Sequence, residues 1–330
     1  MRRYIWELPG WPELTIQLDE VEERLSAAQF ALGEVAGVLR TLGSADRRTI
    51  ELDALADTAL QTSEIEGEHL SADSVRASLA RRLGLDHLAS APTDPRADGV
   101  VAMSIDATLN AAKPLTKKRL VEWQSGLFPD APRSLTVGDW RGVKDDPMRV
   151  VSGPVSARAV HFEAPPAARV KEEMRAFLRW FEAPPAANRR AVPPLVRAAL
   201  AHLRFLTIHP FADGNGRIGR AIADLVLARA DSHVAPYISL SRRIRKERAA
   251  YYEAISRAQC SGLDATAWTA WFIDCYRRST ADTLRSADSL IRAATFWRDH
   301  AGVEINARQR KVLERYLGGQ FEGWLNSRNY

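Results

Sequence analysis

What most narrows the fold of this chain is the character of the sequence on either side of one glycine-rich segment. Residues 209–220 read HPFADGNGRIGR and contain Gly214, Gly216 and Gly219 in the pattern G-x-G-x-x-G. That pattern marks a dinucleotide-binding loop only when a strand leads into it and a helix follows. Upstream, PPLVRAALAHLRFLTIHP places Leu195, Ala199, Leu203 and Leu206 at helical spacing, and Pro193-Pro194 suits a helix start. Downstream, RIGRAIADLVLARA puts Ile218, Ile222, Leu225 and Val226 on one helical face. The segment therefore joins two helices. The strand that a parallel dinucleotide-binding sheet requires is missing.

The same 3.6-residue period runs through most of the chain. Leu18, Val21, Leu25, Ala28, Leu32, Val35 and Leu39 predict a long amphipathic helix that Gly43-Ser44 stops. A second helix carries Ile50, Leu55 and Leu60 and ends in TSEIEGEHL (62–70). ASAPTDPRADG reads as a linker. VVAMSIDATLNAA and KKRLVEWQSGLF read as helices, the second capped by Pro114-Leu115-Thr116. One stretch breaks the pattern. MRVVSGPVSARAVHF (148–162) sets Val150-Val151 and Ala159-Val160 around Ser152-Gly153-Pro154, which predicts a β-hairpin. APPAA occurs at 164–168 and 183–187 and reads as two boundaries around the helix RVKEEMRAFLRWFE. The expected fold is all-α with one small hairpin. Three units are expected: an N-terminal helical domain over 1–95, a central domain over 96–289 and a C-terminal helical segment over 290–330.

Composition limits the partners. The 330 residues suit one large domain or two to three smaller ones. At 46% hydrophobic and 26% charged, the chain reads as soluble and folded. The net charge of +5 is spread among interspersed acids and bases, which tolerates nucleic acid without demanding it. The two cysteines, Cys260 and Cys275, form neither a metal spacing nor a disulfide framework, so a reducing cytoplasm is expected. The N-terminus lacks the apolar core of a signal peptide, and no run approaches the roughly 18 apolar residues of a membrane span.

The loop suits phosphate chemistry. Gly214 and Gly216 let backbone N–H groups approach an anion at a helix N-terminus, where the helix dipole also favours negative charge. Arg217 and Arg220 lie three apart on one face, and both present forked donors to a polyphosphate. Asp213 suits a Mg²⁺ ion better than a phosphate. His209 has the one side chain here that titrates near neutrality and could take a proton from an attacking hydroxyl. Taken singly, most such residues serve caps, cores or solvation, and His202 is expected to be a core histidine. Their convergence on one glycine nest is what points to function.

HPFADGNGRIGR resembles the signature of the Fic (filamentation induced by cAMP) family, HPF-x-[D/E]-GNGR-x-x-R, at every specified position. The resemblance implies a Fic-type helical bundle and transfer of AMP from ATP to a Ser, Thr or Tyr hydroxyl of a protein, with release of pyrophosphate. It implies His209 as general base, Asp213 as Mg²⁺ ligand, Gly214, Asn215 and Gly216 as the anion hole, and Arg217 and Arg220 at the β/γ end. Phe211 is the implied core anchor. Relatives that transfer a γ-phosphate have Ala where this chain has Gly214, so the glycine favours adenylyl transfer. The implied partners are ATP, a target protein, the chain itself in self-modification and a second copy in a homodimer, with no membrane. Nucleic acid stays open.

TSEIEGEHL fits [S/T]-x-x-x-E-[G/N], the inhibitory motif of the same family, placed ahead of the catalytic domain. By resemblance Glu66 pairs with Arg220 and keeps ATP unproductive. In some relatives this glutamate serves AMP removal, so the resting activity could be removal. The hairpin resembles the family's flap, which holds a target peptide by strand pairing. Of Tyr251 and Tyr252 one faces the core, and Tyr252 is the expected adenine-side contact. Gln124 stands where many relatives carry His. INARQRKVLERYLGG resembles the first helix of a winged helix-turn-helix, with the chain stopping before a recognition helix. The readings left open are a nucleotide-sensing transcriptional regulator and transfer of another nucleotide or of phosphate.

Overall fold

A computed structural model describes residues 4–85, 91–152, 159–183, 192–300 and 302–317. The chain is helical almost throughout. Its helices are α1 (Leu18–Thr41), α2 (Ser44–Ile65), α3 (Ala72–Arg82), α4 (Pro95–Leu109), α5 (Lys117–Leu127), α6 (Ala167–Glu182), α7 (Pro194–Ile208), α8 (Asn215–Ala230), α9 (Leu240–Lys246), α10 (Arg248–Ala258), α11 (Thr266–Asp299) and α12 (Ala307–Leu317). Strands β1 (Arg149–Ser152) and β2 (Ala159–Glu163) form one antiparallel pair. Among the described residues the chain adopts the predicted all-α architecture with a single hairpin.

α7 and α8 form the centre. They pack on each other, and α8 also meets α4, α5 and α2. Both are buried on nearly every face, which is why α7 reads VRAALAHLRFLTI with little polar relief. Phe177, Phe205 and Phe211 are fully buried beside one another, each contributing about 1.5–3 kcal/mol through lost apolar exposure. α1 lies along α11, and α2 along α9, α4 and α3. The α1 stripe behaves as predicted at Val21, Leu25, Ala28, Val35 and Leu39, all buried.

α4 and α5 touch at backbone level. A Cβ added to Gly99 would lie 1.7 Å from the Gly126 carbonyl oxygen. This crossing brings Leu127 and Phe128, at the end of α5, onto the glycine loop. Thr116 caps α5 by accepting the Arg119 N–H at 3.2 Å, as its sequence predicts.

Two local readings are corrected. The stretch taken as a linker, ASAPTDPRADG, ends inside α4: Asp94 accepts the Arg96 N–H at 3.0 Å and Pro95 opens the helix. Its first two residues, 89 and 90, lie outside the described region. Sequence periodicity also overlooks α3, which Ser71 caps through the Ser74 N–H and which buries Val75, Ala77, Ser78, Leu79 and Ala80.

The hairpin pairs Arg149 with Glu163, Val150 with Phe162, Val151 with Val160 and Ser152 with Ala159, with an irregularity between Val150 and Val151. Its tip, residues 153–158, lies outside the described region, as does most of the second APPAA. α11 runs without a break through position 290. α12 covers the basic tail helix, where the Arg310 guanidinium lies 4.5 Å from the Trp297 ring centroid. Residues 318–330 are outside the described region. Among the described residues no helix is long and apolar enough to cross a membrane.

Candidate active site

α7 ends at His209, which takes a left-handed conformation (φ 52°, ψ 59°). Among the described residues it is the one non-glycine with positive φ, a position that a side chain occupies only under constraint. Its N–H closes on the Phe205 carbonyl at 2.9 Å. Ring Nδ1 lies 3.1 Å from the Leu206 carbonyl oxygen. A carbonyl only accepts, so Nδ1 carries the proton and Nε2 is left as the basic nitrogen. Burial pushes the imidazole down to about 4, against the opposing Leu206 hydrogen bond, with the Arg141 charge adding to the fall. His209 is therefore a neutral base at pH 7.

The loop that follows is braced from inside. The Asn215 Oδ1 accepts the Phe211 N–H at 3.0 Å, and its Nδ2 donates to the Phe211 carbonyl at 2.8 Å. That side chain is 3% exposed and fully engaged, so Asn215 could serve an anion only through its backbone. Gly214 sits at φ 90°, and a Cβ there would meet Phe128 at 3.0 Å and Leu127 at 3.2 Å. The N–H groups of Asn215, Gly216 and Arg217 precede the first intrahelical bond, from Ile218 N–H to the Gly214 carbonyl. Asp213 is exposed at the loop edge, its Oδ1 accepting the Gly214 N–H at 2.6 Å.

Arg217 and Arg220 converge on this turn from α8, with side chains 5% and 1% exposed. Each holds one buried nitrogen without a partner, Nε of Arg217 and Nη1 of Arg220. Uncompensated guanidinium donors beside a helix N-terminus suit an anion with several oxygens.

The end of α2 already occupies that position. Glu66 Oε1 accepts from Arg220 Nη2 at 2.8 Å. Thr62 completes the clamp: its Oγ1 accepts from Arg220 Nε at 2.8 Å and its carbonyl from Nη2 at 2.9 Å. A Cβ added to Gly216 would lie 2.0 Å from Glu66 Oε1, so the carboxylate rests on the bare glycine backbone. α2 ends within TSEIEGEHL, as the sequence predicts: Gly67 stops it at φ 83°, with its N–H on the Glu64 carbonyl and the Glu68 N–H on the Ser63 carbonyl.

The remaining sequence candidates divide. Tyr251 is buried, and its O–H donates to His202 Nε2 at 2.9 Å, while His202 Nδ1 donates to the Gly219 carbonyl. His202 is thus the core residue expected, held neutral by burial with its pKa at about 3. Tyr252 is half-buried against the α2 terminus, its O–H 3.4 Å from the Ile65 carbonyl. Gln124 is fully buried, bridging the Gly138 N–H and the Thr136 carbonyl.

Sequence reasoning missed Arg141. Its Nε donates to the His209 carbonyl at 2.8 Å, its Nη1 pairs with Asp146 at 2.6 Å, its Nη2 reaches the Pro165 carbonyl, and its N–H reaches the Pro210 carbonyl. Lying 68 residues from His209, it gives no local signal. The ion pair of Glu68 with Arg217 was missed for the same reason.

No cluster of three or more metal-ligating side chains occurs among the described residues. A Mg²⁺ ion carried by a phosphate substrate needs only one or two protein carboxylates, and exposed Asp213 at the loop edge fits that requirement.

Comparison with known proteins places this geometry. A Fic/DOC family model matches residues 114–227, and a domain of unknown function (DUF4172) matches residues 4–85. The protein adenylyltransferase fic-1 of Caenorhabditis briggsae is 45% identical over 73 residues, 22% of this chain and 13% of that protein. The protein adenylyltransferase Fic of Drosophila melanogaster is 29% identical over 161 residues, 44% of this chain and 30% of that protein. The match thus spans less than a third of either relative. The crystal structure of a Fic family protein from Desulfovibrio desulfuricans G20 superposes with a TM-score of 0.61 at 23% identity, covering 93% of this chain and 86% of that one. The glycine loop, seated between two buried helices, lies inside the segment, residues 114–227, that matches the Fic/DOC family model.

Proposed function

We propose that this chain is an autoinhibited, Mg²⁺-dependent protein adenylyltransferase that moves AMP from ATP to a hydroxyl side chain of a target protein or of itself. The observation that carries the reading is the Glu66 carboxylate seated on Gly216 and Arg220. A site built for a small anion, filled by a side chain of the same protein, is an inhibited phosphate site.

In the released state Arg217 and Arg220 take the β/γ end of ATP, and the N–H groups of Asn215 and Gly216 face the α- and β-phosphates, joined by that of Gly214 once Asp213 Oδ1 turns from it to the metal. Asp213 would hold Mg²⁺, which when bound neutralises phosphate charge. His209 Nε2 accepts the proton of the incoming hydroxyl. The hydroxyl oxygen forms a bond to the α-phosphorus, and the bond from that phosphorus to the bridging oxygen of pyrophosphate breaks, pyrophosphate leaving with the electron pair. Positioning and charge stabilisation supply most of the rate in such transfers. Tyr252, whose O–H lies by the Ile65 carbonyl at the α2 terminus, would border the base. The names of the matched adenylyltransferases support this reading.

The test is label transfer from ATP labelled at the α- or the γ-phosphate, using a Glu66→Gly variant with Mg²⁺. Adenylyl transfer requires α-label on protein, no γ-label, and loss of the signal in His209→Ala. Incorporated γ-label would instead show phosphate transfer. Salt-dependent DNA binding without label in any variant would favour a nucleotide-sensing regulator.

A further inference from the structure

We infer that Glu68 is a second inhibitory carboxylate, withholding Arg217 from phosphate as Glu66 withholds Arg220, so that a single backbone turn closes both arginines. This rests on the reading that the two arginines bind the phosphates of ATP.

Both carboxylates flank Gly67. The turn is closed by two hydrogen bonds, Gly67 N–H to the Glu64 carbonyl and Glu68 N–H to the Ser63 carbonyl, each at 3.0 Å. A Cβ at Gly67 would meet nothing within 4 Å, so the glycine is there for its φ of 83° and not for space. The turn therefore fixes Glu66 and Glu68 relative to each other and aims them at different residues of α8. Glu68 pairs with Arg217 Nη1, and Glu66 with Arg220 Nη2. The Arg217 guanidinium also lies 4.9 Å from the Phe128 ring centroid, which holds it facing the turn.

Carboxylate and phosphate oxygens compete for the same forked donors. With both pairs made, a triphosphate meets two engaged arginines and two negative charges close by. Productive binding requires the whole turn to withdraw, so each pair multiplies the cost of opening. The latch is thus held at two points by one turn, and Glu68 lies outside the pattern [S/T]-x-x-x-E-[G/N] that singles out Glu66.

The experiment compares wild type, Glu68→Gln, Glu68→Ala, Glu66→Gly and the Glu66→Gly/Glu68→Gln double variant. Calorimetry gives the Kd of MgATP and of adenosine, α-labelled ATP gives the rate of self-labelling, and thermal melting checks the fold. Glu68→Gln alone is expected to tighten MgATP and to speed labelling, each by about five-fold, with adenosine affinity unchanged. Wild-type values in both Glu68 variants, or weaker MgATP binding, would overturn the proposal. Weaker binding would mean that Glu68 orients Arg217 for phosphate. If no variant takes label, Glu66→Gly included, yet Glu68→Gln still tightens MgATP, adenylyl transfer fails and the second latch stands.

Discussion

Gly216→Ala places one methyl group where the Glu66 carboxylate and the proposed phosphate site coincide. The new Cβ would lie 2.0 Å from Glu66 Oε1, 2.8 Å from Glu66 Cδ and 3.3 Å from Arg220 Nη1. Real Cβ atoms stay beyond about 3.0 Å, so the carboxylate must retreat by about 1 Å. Glu66 ends a flexible side chain, whereas Gly216 lies in the first turn of buried α8, so the carboxylate is the group that yields. Its 2.8 Å hydrogen bond to Arg220 stretches past hydrogen-bonding range. The loss of a pair whose acidic partner is 31% exposed costs up to about 1 kcal/mol. Replacing a helical glycine by alanine returns up to about 1 kcal/mol. Stability should therefore hold to within about 1 kcal/mol, a melting shift of roughly 2–4 °C at most. Release does not become activity, because the methyl occupies space that the phosphate needs. The informative comparison is Glu66→Gly against Glu66→Gly/Gly216→Ala by calorimetry with MgATP. The double variant should bind about ten-fold more weakly, about 1.4 kcal/mol. Equal affinities would refute the placement of phosphate on Gly216. A melting loss well beyond the expected range would show that α8 moved in place of Glu66.

Two further outcomes follow from the loop and the core. Asn215→Ala removes both side-chain bonds to the Phe211 backbone and leaves a buried N–H and carbonyl unpaired, costing about 2–4 kcal/mol in urea denaturation; a loss below about 1 kcal/mol would show that the bracing is dispensable. His202 and His209 stay neutral down to about 3 and about 4, whereas in the unfolded chain both protonate near 6.5. The unfolded state then binds more protons than the folded one between those values, so stability falls as pH drops below about 6.5. The slope approaches about 2.7 kcal/mol per pH unit, and His202→Gln should remove about half of it. A slope unchanged by that substitution would contradict the neutral core imidazole.

Much of this was legible in the sequence because it is local. The helices on both sides of the glycine loop show in their period, since their apolar residues are packed on the core. The hairpin shows as the one stretch without that period. Gly67 was readable because a helix stop carries its own chemistry, and Glu66 through the resemblance of TSEIEGEHL to the family's inhibitory motif. What was not legible is tertiary. Arg141 holds the His209 and Pro210 carbonyls from 68 residues away, and Glu68 reaches Arg217 across 149. Asn215 looks like part of an anion hole, yet its amide is spent on Phe211, since a tight loop must satisfy its own backbone first. α3 escaped notice because it buries small residues, Ala77, Ser78 and Ala80, beside Val75 and Leu79, which blurs the apolar period, and the start of α4 was hidden by Pro95, which reads equally as linker or as first turn.

The most direct measurement is the rate of pyrophosphate release from MgATP by wild type, Glu66→Gly and Glu66→Gly/His209→Ala at equal protein concentration. A carboxylate occupying the cradle predicts a rise of at least about ten-fold in Glu66→Gly, abolished when His209 is also replaced. Equal rates in wild type and Glu66→Gly, or release that persists without His209, would contradict it.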